Sequence, residues 1–376
     1  MTVVGIIFSN IHDKNVPDLT HHRTMASVPF GSRYRLIDFT LSNMVNSGIN
    51  HVGVITHYNY QSLMDHLGSG KDWDLARRAG GIQILPPYIT AFANPQNFLY
   101  TTRLEALKNI MSFITGCTED YVVLSDCDVI CNIDLVELIE NHISTGADAT
   151  LMVKSMYLTP NGAGDMVTVE SDGDGRLIAI SEYSAPAGGY ADICTNIWVI
   201  NRRFLESFVS EAIAYNYNSF VKDVVRKNAP VKNFRVYRHG GYFATINSMQ
   251  AYYMCNMDLL DETVRKNLFG VSGRPVLTKV RNSPPAVYSD SARVTSSLIA
   301  DGCVINGAVE NSVVFRGVSV GKNSVIKNSI LMQDTIIGEN VTLNAVITDK
   351  NAVIRDGRTL SGHETHPFYI GKYIQI

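Results

Sequence analysis

Asp126 and Asp128 flank Cys127 at the end of YVVLSDCD, a run that reads as a buried strand. Alternate residues of a strand share a face, so both carboxylates can look into one cleft. Basic groups that could meet phosphate come earlier: His22 and Arg23 in LTHHRTM, then Arg33 and Arg35. The competing reading is that these arginines pair with carboxylates or turn carbonyls and merely hold a loop. Other constellations carry less. His21-His22 has no third ligand nearby, and Cys127 and Cys131 are too isolated for a four-ligand metal site. Tyr252, Tyr253 and Met254 have helical, apolar flanks and read as helix packing, and Trp73 as core.

Such groups need elements to position them. In the first two-thirds of the chain, Val3–Phe8, His51–Thr56, Tyr121–Ser125 and Ala149–Val153 read as buried strands. Leu36–Ser47, Arg103–Thr115 and Leu135–His142 have helical spacing. The alternation predicts an α/β domain with a mostly parallel, helix-covered sheet, and ligands at the carboxyl ends of its strands. Past Arg281 and the connector NSPPAVYSD the texture changes. Leu298, Val304, Val309, Val314, Val320, Val325, Ile330, Ile336, Val341, Val346 and Val353 recur at short intervals between Gly, Asn, Asp and Ser. This is the hexapeptide pattern of a parallel β-helix. Each step should point one aliphatic side chain inward, and the coils must stack because none can bury its face alone. The expected division is an α/β domain over 1–260, a linker over 261–290 and a β-helix over 291–376.

With 376 residues, two domains are the natural prior. A net charge of −3 gives no reason to expect nucleic acid or an acidic membrane as partner. The start, MTVVGIIFSN, has no basic leader, and no apolar run reaches membrane-spanning length. Six scattered cysteines in so long a chain read as reduced thiols of a cytoplasmic protein.

The segment SVPFGSRYRLIDFTLSNMVNSGINHVGVIT (27–56) resembles the ADP-glucose pyrophosphorylase (glucose-1-phosphate adenylyltransferase) family. GSGKDWDL, GGIQILPPY, CDVICNID and GYFATINSMQAYYMCNMDLL follow in the family's order, then the β-helix, so the resemblance spans nearly the whole chain. It implies a Rossmann-like, GT-A-like nucleotidyltransferase domain followed by a left-handed parallel β-helix. The reaction it implies is attack by glucose 1-phosphate on the α-phosphorus of ATP, giving ADP-glucose and pyrophosphate. That chemistry is positioning and charge neutralisation. It uses a glycine-rich loop whose amides cradle phosphates, a lysine on the nucleotide, two aspartates on Mg²⁺, and a lysine on the sugar phosphate.

This chain departs from the family at those places. Asn10, Ile11, Asp13 and Asn15 stand where the loop's glycines and arginine would be, and Met25-Ala26-Ser27 replaces Lys-Pro-Ala. Thr101-Thr102-Arg103 replaces Gly-Thr-Ala, and Asn196 a glycine near the sugar. Asp128 matches the first metal aspartate, but the second is Thr245. The sugar-phosphate lysine is Tyr183, beside a retained Glu182. A loop without glycine loses close backbone approach, and Asp13 would repel a polyphosphate. The resemblance thus points to the non-catalytic, regulatory GlgD-type subunit, which works beside a catalytic paralogue in a tetramer. It leaves Asp128 as the metal candidate with half a Mg²⁺ clamp, Glu182 as a substrate contact, Asp126 as a partial substitute ligand, and His22, Arg23 and Arg35 where the family binds a phosphorylated effector. The alternatives are an active adenylyltransferase with a remodelled loop, and a sugar-phosphate or nucleotide sensor with no catalytic partner. A hexapeptide acyltransferase is set aside, because no histidine falls between Leu298 and Val353 to deprotonate an acceptor.

Overall fold

A computed structural model describes residues 2–87, 100–158, 166–182 and 189–376. The chain forms two compact units, one of residues 1–11 and 39–243, the other of residues 12–38 and 244–376.

The first unit is built on a nine-stranded sheet. Its strands are β1 (Val3–Phe8), β2 (His51–Ile55), β3 (Gly81–Leu85), β4 (Tyr121–Asp126), β5 (Ala149–Leu158), β6 (Val167–Ser171), β7 (Leu177–Glu182), β8 (Gly189–Asn201) and β9 (Phe234–Arg238). The order β7-β6-β8-β4-β1-β2-β3 runs across it, with β5 on β8 and β9 on β5. β1, β2, β3 and β4 pair in parallel, as their apolar, β-branched sequences suggest. The sheet as a whole is mixed rather than mostly parallel, because β8 is antiparallel to β4, β5 and β6. β8 reads as one more β-branched run, and only its pairing reveals its direction.

The helix α1 (Leu36–Asn46) has the expected span. The stretch from Arg103 is two helices, α2 (Arg103–Asn109) and α3 (Met111–Gly116), parted at Ile110 where φ is −106° and ψ 19°. Helical spacing runs through the break because Leu104, Leu107, Ile110 and Ile114 all bury into one core with Val4, Ile6, Val122 and Leu124. α4 (Leu135–Ser144) and α5 (Arg202–Ala214) complete the main helices. No helix among the described residues is long and apolar enough to cross a membrane.

The second unit carries three five-stranded parallel sheets, whose strands follow one another around each coil from Val287 onward. Val304 pairs with Ser319 and Ser319 with Ile336, so a coil advances by 15 and then 17 residues. The fill is Ile305, Val309, Val314, Val320, Ile326, Leu331, Ile337, Leu343 and Ile354, all buried. Val304 and Ile336, expected inside, point outward instead, at 40% and 51% exposure. In these two-residue strands the second residue takes the inner face, so a periodic apolar step is offset by one position. Corners stack side chain on side chain. Asn311 Nδ2 donates to Asn328 Oδ1 (2.7 Å) and Asn328 Nδ2 to Asn344 Oδ1 (2.9 Å), with Asn311 and Asn328 at positive φ, which asparagine tolerates. At Gly321 a Cβ would lie 2.3 Å from the carbonyl oxygen of Gly338 one coil on, so only glycine fits there.

Residues far from the coils in sequence belong to this unit through specific bonds. Tyr253 Oη donates to Asn328 O (2.7 Å), Tyr252 Oη to Pro29 O (2.7 Å), and Gly31 N–H to Asn256 Oδ1 (3.0 Å). Arg23 meets Asp349. Compact units therefore do not follow linear boundaries near 260 and 290.

Candidate functional site

In the first unit β1 and β4 end side by side, Phe8 opposite Asp126. The loops leaving that edge are tied down by side chains. Asn10 is buried, and its Oδ1 accepts from Ser9 Oγ (2.6 Å), Thr56 Oγ1 (3.0 Å) and His57 N–H (3.1 Å). It therefore locks the loop after β1 to the loop after β2. Helix α1 anchors the segment after β4. Thr40 Oγ1 donates to Asp126 O (3.2 Å), Asn43 Nδ2 to Cys131 O (3.1 Å) while its Oδ1 accepts from Ile133 N–H (3.2 Å), and Ser47 Oγ accepts from Leu135 N–H (3.0 Å). DFTLSNMVNSG thus holds the backbone that carries Asp126 and Asp128.

Asp126 is fully buried and Asp128 nearly so. A cation meets them. Arg103 Nε lies 3.0 and 3.1 Å from the two oxygens of Asp126, and Nη2 also binds Oδ2. Burial opposes the guanidinium's charge, yet Asp126 first, and then Cys194 and Asp128, hold it more firmly protonated than usual. The sequence places Arg103 at the start of α2, where Thr102 is the N-cap. Its Oγ1 accepts from Glu105 N–H (3.2 Å), and Glu105 Oε2 accepts in return from Thr102 N–H (3.1 Å) and Thr101 N–H (2.8 Å). This capping box fixes the first turn and with it the root of Arg103. Nearby, Asn196 sits at φ 61° in a bulge of β8. Asparagine is one of the few residues that tolerate such a left-handed backbone.

In the second unit, Asp13 is buried and its Oδ1 accepts from Met25 N–H (2.7 Å). Met25 is fully buried. Arg23 is 2% exposed, with Nη2 at 2.7 and 2.9 Å from the oxygens of Asp349. Tyr369 Oη reaches the same carboxylate (2.8 Å). Lys350 adjoins this group. Burial, and then Arg35, Arg23 and Arg281, push its ammonium down to about 6, against the pull of Asp349. His22 is exposed, and partial burial and then His21 lower it further from its ordinary value.

Placement of the expected site residues is therefore divided. Asp126, Asp128 and Asn10 lie in the first unit. Glu182 closes β7, and Tyr183 lies outside the described residues. Ile11 is the last residue of its segment of the first unit, while Asp13, Met25, His22, Arg23, Arg35 and Thr245 belong to the second. Sequence reasoning missed the Arg103–Asp126 pair and the part played by Lys350 and Arg281.

A nucleotidyl transferase family model matches residues 14–229, and a GlmU-like, C-terminal hexapeptide model matches residues 284–366. The chain is 30% identical to glycogen biosynthesis protein GlgD of Bacillus subtilis, over 98% of this chain and 96% of that one. It belongs to the ADP-glucose pyrophosphorylase family. Glucose-1-phosphate adenylyltransferases of Clostridium acetobutylicum (32% identical over 86% of this chain and 84% of theirs) and Pseudothermotoga lettingae (32% over 86% and 76%) are relatives at similar identity.

Proposed function

We propose that this chain is the regulatory or assisting subunit of a glucose-1-phosphate adenylyltransferase of glycogen biosynthesis, weak or inactive alone and joined to a catalytic paralogue in a mixed cytoplasmic tetramer. Relatives of both kinds match at similar identity, so the reading rests on chemistry. The observation that carries it is Arg103. Its guanidinium neutralises Asp126 and lends its field to Asp128, as a dication would. Mg²⁺ takes several oxygen ligands in near-octahedral geometry; here one carboxylate is engaged by a cation and the other stands without the family's second aspartate. The donor set does not fit the family's two-carboxylate clamp, and no step is drawn through the metal.

A phosphorylated effector would meet Arg35 and Arg281, whose charges both reach Lys350, and His22, exposed in the same unit. Arg23 contributes charge from behind, already bound to Asp349. Exposed apolar steps at Val287, Val304 and Ile336, with Ser319 between the last two, support association, because apolar side chains on a coil face are suited to cover by another subunit. Influence on the partner would require this chain to favour one of its conformations by about 1–3 kcal/mol.

Pyrophosphate release from ATP and glucose 1-phosphate, measured for the chain alone, the paralogue alone and the mixture, tests the reading. Little turnover alone and altered turnover or effector response in the mixture is the expected result. Robust turnover alone would make it an active adenylyltransferase with a remodelled loop. Ligand binding with no mixed assembly on native mass measurement would make it a sensor.

A further inference from the structure

At the opposite edge of the same sheet, where β2 and β4 begin, three side chains of different chemistry converge. His51 opens β2, Cys117 follows α3, and Glu119 lies in the short link to β4. One ligand atom from each lies within 4.8 Å of the others. They line a pocket of about 480 Å³, together with Thr2, Asn50 and Gly80. His51 Nδ1 is 2.7 Å from Glu119 Oε1, and the other oxygen of Glu119 accepts from Thr118 N–H (2.9 Å). His51 Nε2 is buried and has no hydrogen-bond partner among the described residues. A buried polar nitrogen left unsatisfied is costly and calls for an explanation.

We infer that His51, Cys117 and Glu119 form a binding site for a borderline transition-metal dication of the zinc type. The donor set decides the class. Imidazole nitrogen, thiolate sulfur and carboxylate oxygen suit Zn²⁺ or Co²⁺, whereas Mg²⁺ and Ca²⁺ take oxygen alone. The spacing is close. A tetrahedral zinc with bonds of about 2.0–2.3 Å sets its donors about 3.3–3.8 Å apart, so the cluster needs to adjust by about an ångström. An ion also resolves the ring. It binds the imidazole at one nitrogen, and Cys117 and Glu119 supply the other two donors. Three protein ligands leave a fourth position open to the pocket, for water or a small anion. Without an ion, burial and then Glu119 push the thiol up to about 12, against the pull of Arg202.

The site is independent of the proposed subunit role, since it uses none of the residues of the β4 carboxyl edge. Co²⁺ titration of the full chain under reducing conditions tests it. Expected are one equivalent bound, a thiolate-to-cobalt charge-transfer band in the near ultraviolet, and tetrahedral bands in the visible. Zn²⁺ should displace the Co²⁺, and Mg²⁺ should not. Cys117→Ser, nearly isosteric, should abolish the charge-transfer band, His51→Ala should weaken binding at least 100-fold, and Glu119→Gln about 10–100-fold. Circular dichroism of the metal-free variants confirms that they fold, and Cys303→Ser, in the coils, should bind as the parent does. Absence of the charge-transfer band in the parent, or its persistence in Cys117→Ser, would overturn the assignment.

Discussion

The two edges of the first unit's sheet treat charge in opposite ways. At the carboxyl edge, Asp126 and Asp128 come with their own cation, Arg103, delivered by a capped helix. At the amino edge, His51, Cys117 and Glu119 gather their donors, and the neighbouring guanidinium, Arg202, is bonded to the Glu119 carbonyl and paired with Glu206 instead of with the cluster's carboxylate. A cluster of ligand atoms attracts a metal only in so far as the protein has not already neutralised it. By that measure, the carboxyl edge, where Arg103 already meets Asp126, is the less suited to a dication.

Removing the built-in cation breaks the contrast most strongly. Arg103→Ala takes the guanidinium away from the fully buried Asp126, which should cost about 3–5 kcal/mol in urea unfolding. Mg²⁺ should recover part of that loss while leaving the parent unchanged. Arg103→Met with Asp126→Leu should return close to parental stability; if the double variant is as unstable as the single, the pair is not what holds the edge. At the amino edge, Zn²⁺ at about a hundred times its dissociation constant should raise the unfolding free energy by about 2.7 kcal/mol, and Mg²⁺ should add nothing.

The second unit offers a third case, with cations in excess. Lys350 is neutral in the folded chain above about pH 6, but on unfolding it takes up a proton at any pH below its ordinary value of about 10.4. The unfolded state then binds more protons, so stability should rise with pH across that window, by at most about 1.4 kcal/mol per pH unit. Lys350→Met should flatten the slope in melting temperatures taken from pH 6 to 10. Inorganic phosphate should stabilise the parent more than the variant if the basic group holds an anion. The smallest effect belongs to the scaffold of the first contrast: Thr102→Ala removes the cap that roots Arg103 and should cost about 1 kcal/mol, read by thermal melting.

How far the site could be read beforehand depended on the kind of interaction. Asp126 and Asp128 were legible because strand alternation and a polar end to an apolar run are local signals. The cap at Thr102 was local too, since TTRLE spells a capping box. The Arg103–Asp126 bond was not, because charge complementarity across the sheet has no spacing rule. Arg23 shows the same limit. The sequence left it between an effector contact implied by the resemblance and a carboxylate pair, and could not name the carboxylate, because Asp349 lies at the other end of the chain. Tyr183 falls outside the described residues, so its substitution for lysine stands on the sequence alone.

Element types and the coil repeat followed from the sequence by itself, because backbone preference and apolar period act over a few residues. Strand direction in β8, the inward offset at Ile305 and Ile337, and the counter-ion of each buried charge were decided only by the folded chain. Those depend on which distant segments share a desolvated space, and in such a space an ion must find its partner or not be ionised at all.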